Sequence, residues 1–156
     1  MGGRRIFILV DSSASMLAET VVGVIRRRNL GVDEKLKSPK WRQTVATIAW
    51  LTTQLPPTSQ FQVYSFNETA GPLLAGTSGT WLNAGRIDRL NQTVAGMRKL
   101  VPEKGTSLLN AFNVIAEMKT APDNIFQLSD SLPTKGAKKP WGKRVSGKKR
   151  LSLFNE

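Results

Sequence analysis

The sequence predicts an α/β domain built on a mainly parallel sheet flanked by helices, and three observations carry that prediction. Short apolar stretches at 6–10 and 125–128, and the alternating stretch 61–66, have the length of strands. Between them, apolar residues recur at helical spacing. Clusters of Pro, Gly and Ser separate the two kinds of segment, so strands and helices alternate, as in a parallel sheet with crossover helices. At 156 residues the chain is read as one domain.

Ile6, Phe7, Ile8, Leu9 and Val10 form a run too short to span a bilayer and suited to a strand covered on both faces. The piece between the first motif, Asp11 to Ser15, and Ser38, with Arg26-Arg27-Arg28 and a polar stretch at 31–37, is less regular and reads as an insertion or an extended surface helix. Ser38-Pro39 resembles a cap followed by Pro in the first turn, after which Trp41, Val45, Ile48 and Leu55 mark a helix ending before Pro56-Pro57. In the strand at 61–66, Phe61, Val63 and Ser65 share a face. An edge hairpin is expected between Leu73 and Trp81, turning at 76–79. Ile87, Leu90, Val94 and Met97 then fall at i, i+3, i+7 and i+10 on another helix. Thr106, in Gly105-Thr106-Ser107, opens the apolar stretch containing Leu108, Leu109, Phe112, Ile115 and Ala116. The last apolar strand, 125–128, runs into Ser129-Asp130.

The first strand ends in Asp11-Ser12-Ser13-Ala14-Ser15, which sets a carboxylate and two hydroxyls at alternate positions. Oxygen donors without nitrogen or sulfur suit a hard cation such as Mg2+. In open parallel sheets, ligands bind beyond the carboxyl ends of the strands, where this motif lies. Asp-x-Ser-x-Ser alone is also an ordinary turn or helix cap.

Asp11, Ser13 and Ser15, with the distant Thr106 and Asp130, resemble the metal-ion-dependent adhesion site of the bacterial-type von Willebrand factor A domain. The resemblance covers 4–134 and implies a Rossmann-like α/β fold. It also implies a Mg2+ or Mn2+ ion held by these five residues, and capture of an Asp or Glu carboxylate offered by a partner protein. In the family the three hydroxyls ligate directly and the aspartates act directly or through water, so the ion keeps charge to attract an outside ligand. The chain departs from the family pattern at Ser131, where Gly commonly follows the second aspartate, and at Ala14, a milder change. Against the family fold the carboxyl end is short. The basic stretch 135–150 reads as a loop and 151–156 as the opening of a helix, so the domain is expected to lack its last strands and helix and to expose an apolar sheet edge.

Composition narrows the alternatives. With no His and no Cys, a Ser-His-Asp triad, a thiol nucleophile and the usual zinc sites are excluded within this chain. An enzyme could use Asp11 as a nucleophile, as in the haloacid-dehalogenase-like phosphatases, but that group places a second Asp where Ser13 stands. Basicity offers a third class: the net charge is +12, which raises nucleic-acid binding. Eight of the positive charges lie in 135–150, however, where Trp141 is the only aromatic residue. The expected function is therefore a metal-dependent protein-binding module without catalysis. No transmembrane segment or signal peptide is read in this chain, and its lack of Cys fits a reducing compartment without requiring one. Family relatives that carry an envelope anchor leave a cell-envelope location open.

Overall fold

The computed structural model describes residues 4–130, 134 and 145–154. Its centre is β1 (Arg5–Asp11), whose apolar residues Ile6 to Val10 are all fully buried. Each such side chain contributes roughly 1.5–3 kcal/mol when taken out of water, which is why this strand organises the domain. β2 (Gln60–Phe66) and β5 (Asn124–Leu128) flank it, both parallel, with Ile8 opposite Val63 on one side and Phe126 on the other. The carboxyl ends of all three strands therefore meet at one edge of the sheet.

Helices cover both faces. Ile6, Ile8 and Val10 point toward α3 (Pro39–Thr53) and α4 (Ile87–Lys99), packing with Trp41, Ile48, Leu51 and Met97. Phe7 and Leu9 face the other way, against Tyr64, Phe66 and the α5 (Leu108–Ala116) residues Leu108 and Ala111. The α/β, mostly parallel, Rossmann-like architecture expected from the sequence is thus the one observed.

Several local expectations are corrected. The edge hairpin does not form: β3 (Ala70–Pro72) and β4 (Leu82–Asn83) each pair antiparallel with β2, at opposite ends of it. The chain between them is held instead by buried Gln62, whose amide donates to Thr77 O and Thr80 O, both at 2.9 Å. That satisfied polar anchor substitutes for a strand ladder. On α4 the buried residues are Thr93 and Met97, with Leu90 partly buried against the same core, while Ile87 is 71% exposed and Val94 only partly covered. Thr93 fits the core because its hydroxyl donates to Arg89 O at 2.9 Å. Phe112 on α5 is likewise exposed. The segment after the first motif forms two short helices, α1 (Val21–Arg27) and α2 (Val32–Leu36), neither with a buried residue. The last helix, α6 (Gly147–Phe154), begins within the stretch assigned to the basic loop. Ser146 accepts from Lys149 N at 3.3 Å there, so a local cap starts the helix despite its charge. Residues 135–144 of that stretch and Ser131 lie outside the described residues.

Among the described residues β5 is an edge strand, with Ile125 46% exposed. No helix among them is long and apolar enough to cross a membrane.

Candidate metal centre

At the exit of β1 the backbone turns away from the sheet and enters a 3-10 turn, Ala14–Leu17. Ser12 fixes this turn to β2, its N–H and hydroxyl both donating to Phe66 O, at 2.7 and 3.0 Å. The loop carrying Thr106 is tied to the same turn by main-chain bonds, Ala14 N to Lys104 O at 3.0 Å and Glu103 N to Ser12 O at 2.8 Å. It is also tied to the end of β2, where Ser107 N donates to Asn67 O at 2.7 Å. Ser107 then caps α5 by accepting from Asn110 N. The sequence-predicted helix start beside Thr106 is therefore correct, with Ser107 as the capping residue.

Within this frame the candidate oxygens are chained together. Asp11 is fully buried, and its carboxylate accepts from Ser13 N at 2.8 Å and from the Ser129 hydroxyl at 2.7 Å. Ser13 and Ser15 share a hydroxyl hydrogen bond of 2.9 Å. The Ser15 hydroxyl donates in turn to Asp130 Oδ1 at 2.8 Å. Thr106 is buried, and both its main-chain groups bond to Thr134: Thr106 N to Thr134 Oγ1 and Thr134 N to Thr106 O, each at 2.8 Å. Four of the five predicted residues are thus joined by hydrogen bonds, and the fifth sits on a loop fastened to the same turn. Thr134, which secures Thr106, was not foreseen.

The electrostatics are unbalanced at Asp11. Burial pushes its carboxyl above the ordinary value of 3.8; hydrogen bonds from Ser129 and Ser13 oppose that shift, and the nearby Asp130 charge adds to it. A buried carboxylate whose donors are neutral is the kind of group a cation stabilises. Asp130 has a cationic neighbour, because the Lys40 ammonium forms a salt bridge with its Oδ2. Lys40 also donates to Ser15 O at 3.3 Å and Ala18 O at 3.4 Å. Sequence reasoning missed this residue, although a signal existed: Lys40 lies in the first turn of α3, where the helix dipole disfavours a positive charge. Such a placement calls for a local anion. The donor set around Asp11 is all oxygen and fits a hard divalent cation, with Asp11, Ser13, Ser15, Thr106 and Asp130 able to hold it.

Beside Asp130 lies an open cavity of about 270 Å³, whose lining includes Glu19, Lys40, Thr44, Gln127 and Ser129.

Similar folds occur in solved structures. The conserved hypothetical protein BatB from Bacteroides thetaiotaomicron superposes with a TM-score of 0.50 at 17% sequence identity, over 78% of this chain and 48% of that one. The PilB minor pilin from Streptococcus sanguinis superposes with a TM-score of 0.52 at 16% identity, over 85% of this chain and 31% of that one. At such identities the likeness is one of fold, and the chain spans less than half the length of either structure. No family model matches the sequence, and no curated protein does.

Proposed function

We propose that this chain is a von Willebrand factor A-like protein-binding module that takes up Mg2+ or Mn2+ at Asp11, Ser13, Ser15, Thr106 and Asp130. The observation that supports the reading is the run of hydrogen bonds that joins Ser129, Asp11, Ser13, Ser15 and Asp130 at the carboxyl end of the central strand, its Asp11–Ser13 link made by the Ser13 N–H and the others by hydroxyls. Bound there, the ion supplies an electrophilic position for an Asp or Glu carboxylate from a partner protein. The chain's own residues do the rest. Asp11 brings negative charge into a buried position, so the ion's dehydration is partly offset. The hydroxyls of Ser13, Ser15 and Thr106 add donors without adding charge, which leaves attraction for an anionic ligand. Main-chain bonds between 12–14 and 103–104 hold the donors in place before any ligand arrives.

On this proposal the module binds without turnover, and the partner is recognised by its carboxylate. Isothermal titration of Mg2+ and Mn2+ into the folded chain and an Asp11→Ala, Asp130→Ala double mutant tests it. Saturable binding by the wild type and none by the mutant is the expected result. A folded wild type that takes up neither ion would end the metal-site reading.

A further inference from the structure

We infer that Lys40 is a built-in competitor for the second aspartate, a tethered cation that pairs with Asp130 and so limits how tightly the centre holds a divalent ion. The inference rests on the metal-binding function proposed above. Lys40 touches two of the five proposed ligand residues at once, pairing with the Asp130 carboxylate and donating to the Ser15 carbonyl. The two side chains are 15% and 17% exposed, although Asp130 as a residue is exposed just past the end of β5, so the pair is screened less than a fully solvated one. A cation entering among these oxygens meets both the repulsion of the ammonium and the cost of parting it from Asp130.

The chemistry of lysine suits a competitor that yields. A flexible four-carbon stem carries a compact charge with three donors, unlike the planar fork of arginine. A destination is also at hand: Glu19 Oε2 lies 3.7 Å from the same ammonium, on a side chain that is 78% exposed. When Asp130 turns to another cation, Lys40 keeps Glu19 and the Ala18 carbonyl as partners. In that position it remains beside the open cavity next to Asp130 and adds a positive charge facing an incoming carboxylate.

The test is Mg2+ titration of the wild type beside Lys40→Gln, Lys40→Met and Lys40→Arg, with folding checked by circular dichroism. Gln removes the charge yet can still donate to the Ser15 and Ala18 carbonyls, which guards against simple loss of structure. Both neutral variants are expected to bind Mg2+ about tenfold more tightly, and Lys40→Arg, whose planar fork grips a carboxylate with two bonds, to bind the ion more weakly than the wild type. On the unaltered chain, acylation of Lys40 followed by peptide mass spectrometry should rise when Mg2+ is added. Equal or weaker binding by folded neutral variants that still take up the ion would overturn the competition and leave the metal site standing. Failure of the folded wild type to take up either ion would remove the metal site and this inference together.

Discussion

At the amino end of β1, the Asp123 carboxylate accepts from Arg4 N at 2.8 Å and from Arg5 N and the Arg5 guanidinium at 2.9 Å, while Asp123 N donates back to Arg5 O. At the carboxyl end, among the described residues Asp11 accepts from neutral donors, Ser13 N and the Ser129 hydroxyl, and it lies fully buried. The same side chain serves one strand twice. At the exposed end it has a charged partner and works as a clamp that sets the register of β1 against β5. At the buried end the nearest ammonium goes to the neighbouring Asp130, and Asp11 keeps an uncompensated charge. The difference separates a carboxylate that finishes a fold from one that, on the proposed function, takes up a metal ion.

The sharpest way to break the comparison is Asp11→Asn. Loss of metal affinity should exceed the roughly 10–100-fold that losing an outer-shell partner typically costs, read by titration with Mg2+. The same variant should raise the thermal midpoint in metal-free buffer at neutral pH, because it deletes a buried, unpaired charge. The sign follows from the shift. Asp11 has its carboxyl raised above 3.8, so the neutral form stabilises the fold at low pH and that contribution is lost as pH rises through the raised value.

A smaller effect is expected from Ser129→Ala. It removes one donor to the buried carboxylate and should cost about 1–3 kcal/mol in chemical denaturation without added metal. Its Mg2+ affinity should fall less than that of Asp11→Asn.

The smallest effect belongs to the other end of the strand. Hydrogen bonds from Arg5 and Arg4 hold the Asp123 carboxyl below 3.8, so its clamp stabilises the fold above that value and fails as pH falls through the lowered one. Asp123→Asn should lower the midpoint modestly at neutral pH and flatten the acid limb of the stability profile below 3.8, with Mg2+ binding unchanged. A loss of Mg2+ binding in Asp123→Asn would erase the distinction between the two ends.

Much of this was legible in the sequence because the strongest signals are local. An unbroken apolar run specifies a strand covered on both faces, and β1 fulfils it. Pro39 and the spacing of Trp41 and Ile48 specify α3 nearly to the residue, although Ser38 caps it without a side-chain bond. The alternation of Asp11, Ser13 and Ser15 at a strand exit is a pattern of sequence alone, whereas Asp130 joined them only through the family resemblance. What escaped depends on distant partners. Neither β3 nor β4 has enough length to announce itself, and both exist because β2 offers a free edge. Thr93 replaced Val94 in the buried stripe because a hydroxyl bonded to the preceding turn packs as an apolar group does. Lys40 and Asp130 are 90 positions apart, and no periodicity relates them.

The main-chain bonds between Ser12 and Glu103 and between Ala14 and Lys104 have an evolutionary consequence. They rely on no side chain, and Lys104 joins them with a left-handed backbone, at φ 67°, that is uncommon for a residue with a Cβ. Glu103 and Lys104 are exposed, so their side chains stand at the rim while their peptide groups hold the frame. A lineage of such proteins could rewrite that rim, trading charge and shape to suit new partners, and leave the oxygen cluster where it was.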